Sequence, residues 1–163
     1  MDDLRWSSAD GNYVVYVRHE AWQNIVTETR KKTDRETGGI LIGHYADSHT
    51  AIVHQATAAP KDSKSGFGWF YRGVAGLKTL LARLWEQKER QYYLGEWHYH
   101  TAVWLDPSGR DIEQMQEVSR SPNYSCPEPI MLLVGVESEG EMPSRVFVFP
   151  KAIMIELQRV VML

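Results

Sequence analysis

The chain has 163 residues, 43% hydrophobic and 24% charged, with a formal net charge of −3. This is the composition of a globular domain long enough to bury a core without staples, and it offers no general electrostatic attraction to nucleic acid or anionic lipid. No apolar run reaches the roughly 18 residues of a membrane span. The lone cysteine, Cys126, excludes a disulfide framework, and the acidic, polar start MDDLRWSSADGNY is unlike a secretory signal. The expected setting is therefore cytoplasmic, with neither nucleic acid nor membrane as partner.

NYVVYVRHE alternates around β-branched and aromatic residues, as a strand does, and HEAWQNIVTETRKKT follows as a helix turning Trp22, Ile25 and Val26 inward. TGGILIGHYA is a glycine-rich, compact apolar run, the pattern of a buried strand that another backbone or a ligand approaches closely. TAIVHQATAAP is expected to pair with it antiparallel across the DSH turn. KDSKSGFG, residues 61–68, has the polar glycine-bearing character of a mobile loop. VAGLKTLLARLWEQKERQ predicts a helix with Val74, Leu77, Leu80, Leu81, Leu84 and Trp85 on one face. YYLGEWHYH returns to strand, and RDIEQMQEVSRS is a short helix burying Ile112, Met115 and Val118 and stopped by Pro122. IMLLVGVE and RVFVFP are two more strands, and the tail KAIMIELQRVVML fits strand or helix. With no repeat, low-complexity tract or linker, residues 1–163 are expected to form one α/β domain, a mixed β-sheet flanked by helices.

The stretch GEWHYHTAVWLDPSGRDIEQM, residues 95–115, carries the chemistry. On a strand, residues two apart share a face, so His98 and His100 project together while Trp97 and Tyr99 point the other way. Ser108 and Asp111, three apart at a helix start, share a side of the first turn. The seven residues 101–107 between them allow that turn to fold back beside the histidines. Two imidazoles and a carboxylate suit tetrahedral zinc, leaving the fourth position for water. Each part also has a plainer reading: a pair of hydrogen-bonded surface histidines, and a capping box in SGRD. Glu36, in RETGGILIGH, is the best candidate for the base such a site needs. A carboxylate at a helix C-terminal end faces the unfavourable end of the dipole, although an exposed junction glutamate is equally consistent with this stretch. Gly38 and Gly39 would let the backbone pass close to a substrate.

Together, ETGGILIG and HYHTAVWLDPSGRD resemble the JAMM motif of the JAB/MPN metallopeptidases: a glutamate, then H-x-H, seven residues, serine, two residues and aspartate. Glu36, His98, His100, Ser108 and Asp111 occupy those places, and CPEPIMLLVG resembles the strand that follows the site. The likeness covers roughly residues 13–150 and is nearest the stand-alone prokaryotic JAB domains. Two residues depart from the pattern: Tyr99 stands where serine or threonine is usual, and Thr101 where proline is common. The resemblance implies the JAB/MPN, cytidine-deaminase-like α/β architecture. It implies Zn²⁺ held by His98, His100 and Asp111, Glu36 as the proton-transferring base, and Ser108 as hydrogen-bond donor to the oxyanion. The implied activity is that of a peptidase or isopeptidase cutting after the C-terminus of a ubiquitin-like modifier or in a protein conjugate. One implied setting is a CBASS anti-phage operon with a ubiquitin-activating-like enzyme and a nucleotidyltransferase. The alternatives are trimming of C-terminal tags from sulfur-carrier proteins, and a non-catalytic MPN scaffold, against which the complete five-residue set argues.

Other motifs carry less. HEAWQ lacks the second histidine of H-E-x-x-H, and one cysteine cannot supply the P-C-x-x-C ligands of a zinc deaminase. Cys126 is expected to be a packing or loop residue, and His44, His49 and His54, around a hairpin, to be solvated or structural. Trp69, Phe70 and Trp97 fit a core, whereas Trp104 lies in the loop between the metal-ligand candidates.

Overall fold

The computed structural model describes residues 2–161, so the last two residues of the tail and Met1 lie outside it. In chain order the elements are β1 (Leu4–Ser7), β2 (Val14–Val17), α1 (His19–Lys31), β3 (Thr37–Tyr45), β4 (Thr50–Ala56), β5 (Lys64–Gly66) and β6 (Trp69–Tyr71). They continue with α2 (Leu77–Trp85), β7 (Tyr92–Tyr99), α3 (Gly109–Arg120), β8 (Ile130–Val134), β9 (Ser144–Val148), a 3₁₀ turn at Pro150–Ala152, and β10 (Ile155–Val160). The main sheet runs β1-β10-β9-β8-β7-β3-β4-β2 and closes on itself through β1 and β2. It is mixed, as expected, because β2–β4 and β7–β8 are parallel while the other pairs are antiparallel.

Strand alternation sorts the apolar residues onto two faces. One face carries Trp6, Leu41, Val53, Trp97, Tyr99, Leu132 and Val146, and packs around Ala21 and Ile25 of α1. The other carries Ile40, Ile42, Met131, Leu133 and Phe147, and is covered by Leu84 of α2 and Met115 and Val118 of α3. Among the described residues no helix is long and apolar enough to cross a membrane.

Several expectations change. Leu4–Ser7, inside the acidic start, is a strand with Trp6 fully buried; four residues are too few to show a period, and pairing with β2 and β10 defines it. The tail resolves to strand for the same reason, since Ile155–Leu157 pair with β9. Residues 61–68 are not a simple loop. Lys64–Gly66 pairs with Trp69–Tyr71 in a hairpin turned at Phe67 and Gly68, where Gly68 has φ +85°. The Asp62 carboxylate accepts the N–H groups of Val74 and Ala75, and the Ser63 hydroxyl oxygen accepts that of Gly73, which ties down the hairpin's base. The second helix is shorter than the apolar period suggested. Gly76 precedes it with φ +80°, so Val74 stays outside the helix and exposed, and Trp85 at its end is half exposed. Trp22 and Ile112 are only partly buried, at the margins of the two faces.

The glycines at the start of β3 are required by the protein's own chain. A Cβ at Gly38 would overlap the Trp97 carbonyl oxygen and press the His98 and Phe70 rings at 3.0 Å; at Gly39 it would overlap the Thr57 carbonyl. Gly38→Ala should therefore lower stability by about 1–3 kcal/mol, the usual range for overpacking. Chemical denaturation measures this, and an unchanged midpoint would contradict the packing described.

Candidate active site

The register of β3 on β7 brings the two halves of the motif together. Thr37 lies opposite Tyr99 and Gly38 opposite His98, so Glu36, one residue before the strand, arrives beside His100. His100 continues the line of β7, its N–H donating to the Val134 carbonyl at 2.9 Å. Residues 101–107 then return the chain, and α3 begins with Ser108 as its N-cap. The Ser108 hydroxyl oxygen accepts the Asp111 N–H at 3.1 Å, and Asp111 Oδ2 accepts the Ser108 N–H at 2.9 Å. The capping box is real, and it is also what aims Asp111: the same carboxylate faces His98 Nδ1 at 3.1 Å through Oδ1 and His100 Nε2 at 3.3 Å through Oδ2.

His98, His100 and Asp111 are 4%, 6% and 9% exposed, so these are not surface histidines. Their candidate ligand atoms all lie within 4.8 Å of one another. Donors around a tetrahedral ion with bonds of 2.0–2.1 Å stand about 3.3 Å apart, so the spacing of Asp111 from each imidazole fits a metal. The donor set fits as well, since two imidazoles and one carboxylate are borderline ligands of zinc type. Glu36 is 8% exposed, which excludes the exposed junction glutamate. Its N–H donates to the Gly66 carbonyl at 3.0 Å, fastening it to the β5–β6 hairpin.

The electrostatics follow from burial. Desolvation raises the Glu36 pKa, opposed by the attraction of His100 and reinforced by the negative charge of Asp111. Burial alone would lower His98, but its hydrogen bond with Asp111 and the negative charges of Asp111 and Glu96 overcome it and raise its pKa to about 9. Burial would likewise raise Asp111, yet its contacts with His100 and His98 hold it far below the usual carboxylate range.

The sequence reasoning missed Glu96, Arg72 and Gln114. Glu96 is fully buried and accepts from Arg72 Nε at 2.6 Å and Gln114 Nε2 at 2.9 Å. Strand parity was the available signal, because Glu96 stands two residues before His98 and shares its face. Phe70 packs edge-on against the His98 ring at 5.5 Å, so the hairpin walls the site. Between hairpin and α3 lies a cleft of about 520 Å³ lined by residues including Phe70, Arg72, Gln114 and Tyr124. Val103 and Trp104, in the returning loop, are 93% and 77% exposed. Tyr99 points away from the histidines into the opposite core, and its hydroxyl donates to the Thr33 carbonyl at 3.2 Å. Away from the site, Cys126 is buried, with its thiol pushed up to about 12 mainly by desolvation. His44 and His54 contact each other at 2.9 Å, and His49 pairs with Glu128.

The raised His98 pKa has a consequence for metal-free protein. A group whose pKa rises on folding adds stability that is full below its unfolded value, near 6.5, and is lost as pH climbs through about 9. In the presence of chelator, the stability advantage of wild type over His98→Gln should shrink between pH 6.5 and 9.5. Thermal unfolding measured across that window checks the sign, and a growing advantage would refute it.

Residues 18–148 match the family model described as prokaryotic homologs of the JAB domain. The chain is 38% identical over 150 residues to a CD-NTase/cGAS isopeptidase of Enterobacter hormaechei, covering 91% of this chain and 82% of that protein. It is 30% identical to a CD-NTase/cGAS isopeptidase of Escherichia coli, covering 83% and 84%, and 24% identical to a "probable metalloprotease" of Sinorhizobium fredii, covering 80% of each. The solution structure of a protein from Desulfitobacterium hafniense shares the fold at a TM-score of 0.59 and 18% identity, covering 86% of this chain and 87% of that one. The chain belongs to the family of prokaryotic JAB-domain homologs, the stand-alone JAB/MPN metallopeptidases.

Proposed function

We propose that this protein is a zinc-dependent isopeptidase that cleaves a protein conjugate at the C-terminus of a ubiquitin-like modifier. The observation that carries this reading is the convergence of His98, His100 and Asp111 with a buried Glu36 beside them. Bound zinc would supply a Lewis acid that polarises the scissile carbonyl and acidifies water. His98, His100 and Asp111 would hold the ion. Glu36 takes a proton from the attacking water on its carboxylate and hands it to the leaving amine; its raised pKa brings it nearer the range useful for both transfers. Ser108 donates a hydrogen bond to the oxyanion. Its oxygen already accepts the Asp111 N–H, which leaves its proton available, and such a donor is typically worth about 3 kcal/mol. The complete donor set disfavours a non-catalytic scaffold.

The relatives named for CD-NTase/cGAS isopeptidase activity support a nucleotidyltransferase of that class as the conjugated partner. The setting we propose is a cytoplasmic CBASS anti-phage system, with the ubiquitin-activating-like enzyme of the same operon making the bond that this protein cuts. The chain works as one domain, residues 1–163. The modifier's tail lies extended, held by backbone pairing near the β5–β6 hairpin, and its folded body supplies selectivity.

Purified protein should contain one zinc per chain by elemental analysis, and His98→Ala or Asp111→Ala should lose it. Glu36→Gln should keep zinc while turnover falls at least ~10²-fold. Ser108→Ala should lower turnover and also cost about 1 kcal/mol of stability through its cap. Undiminished turnover in the Glu36 variant would remove the mechanism.

The substrate test uses a nucleotidyltransferase conjugate made by the operon's own conjugating enzyme, with casein as the unstructured control. The conjugate should be cut and casein spared, and chelator should stop cleavage until zinc is restored. Casein digestion without cleavage of the conjugate would refute the assignment, and cleavage of a tagged sulfur-carrier protein alone would favour tag trimming.

A further inference from the structure

One buried charge has no task in the mechanism above. Glu96 is 0% exposed, and a carboxylate so placed is costly unless it is paired and hydrogen-bonded. Its partners come from two other elements. Arg72, directly after β6, donates Nε–H to Oε1 at 2.6 Å, and Gln114 of α3 donates to Oε2 at 2.9 Å. Arg72 is itself nearly enclosed, its side chain 6% exposed, and a second donor fixes it to the Gly73 carbonyl.

The same Oε2 lies 3.5 Å from Nε2 of His98. Among the described residues that nitrogen is buried and has no hydrogen-bond partner. The ring's other nitrogen, Nδ1, is turned to Asp111 at 3.1 Å. An imidazole binds metal through its unprotonated nitrogen, and the group holding the other N–H decides which nitrogen that is.

We propose that Glu96 is a positioning residue for His98: Oε2 holds the proton on Nε2, so that Nδ1 is the nitrogen presented to the metal. Arg72 and Gln114 fix that carboxylate in place from the hairpin and from α3. The inference rests on the metal-site reading given above. An ion pair with Arg72 alone would need one carboxylate oxygen and would be replaceable by apolar side chains of similar volume. Here the second oxygen is oriented toward the ring, and Glu96, His98 and His100 follow one another on the same strand face.

Glu96→Gln keeps the shape but retains a single oxygen. That oxygen stays with the Arg72 guanidinium, and the new NH₂ faces His98 Nε2, where donor meets donor. Zinc affinity, measured by competition with a chromophoric chelator, should fall about 10- to 100-fold. The visible spectrum of the Co²⁺-substituted protein should change as well, which a purely structural role would not produce in a variant of unchanged thermal stability. In zinc-loaded wild type, ¹⁵N spectra of histidine should show the His98 proton on Nε2. If Glu96→Gln fails to fold, Gln114→Leu removes one clamp on Oε2 and should weaken zinc binding several-fold. Wild-type affinity in the folded Glu96 variant, or in Gln114→Leu where that variant decides, overturns the inference, as does metal on Nε2 in wild type. Those results leave the metal site standing, whereas wild-type protein that binds no zinc overturns both readings.

Discussion

The antiparallel register of β3 on β7, with Gly38 opposite His98 and Thr37 opposite Tyr99, joins parts of the chain some sixty residues apart. A slip of one residue would turn His98 and His100 to the opposite face and carry Trp97 and Tyr99 out of the core. The register is held by what surrounds it. Gly38 and Gly39 admit the carbonyls of Trp97 and Thr57, which a larger residue would push away. The Trp97 indole N–H donates to the Thr57 carbonyl at 2.9 Å, and Thr57 Oγ1 accepts the Ile40 N–H at 3.0 Å. These bonds pin β3 between its two neighbours, so the same glycines that allow tight packing also place Glu36.

Around that register the protein gathers groups that would otherwise avoid burial. Glu36, Glu96 and Asp111 are buried, and the Arg72 guanidinium beside them is already engaged by Glu96. With both histidines neutral, as the proposed metal ligation requires, Glu36 and Asp111 would leave an uncompensated negative field beside them. A divalent cation relieves it. The raised pKa of Glu36 and His98 and the depressed pKa of Asp111 express the same tension with protons in place of metal. In the proposed site, folding and metal binding would be coupled through these groups, since an ion would neutralise charge that burial makes costly.

The departures from the usual motif are absorbed elsewhere. Tyr99 belongs to the face that packs around α1, and its hydroxyl reaches the Thr33 carbonyl, bracing the turn that leads to Glu36. A serine or threonine could not span that distance. Where proline is common, Thr101 opens a returning loop whose Val103 and Trp104 project into solvent. The β5–β6 hairpin likewise exposes Phe67, Trp69 and Tyr71.

Much of this was legible from local pattern. Strand parity grouped His98 with His100, the three-residue step grouped Ser108 with Asp111, and alternating or compact apolar runs located β2, β3, β4, β7, β8 and β9. The mixed α/β class and the JAB family followed from the same residues. Pattern failed where an element is defined by its neighbour. The four residues of β1 carry no period, and their strand conformation comes from pairing with β2 and β10. The first strand of the hairpin, Lys64–Gly66, looked like part of a loop because its residues are polar or small. Glu96 was visible by parity, yet nothing local shows that Arg72 and Gln114, 24 and 18 residues away, close on it. The sequence alone grouped His98 with His100 and Ser108 with Asp111, because periodicity is a property of consecutive residues. Tertiary structure decided what holds those side chains in place, because a buried charge chooses its partners by distance in space, where the fold and not the chain order makes neighbours.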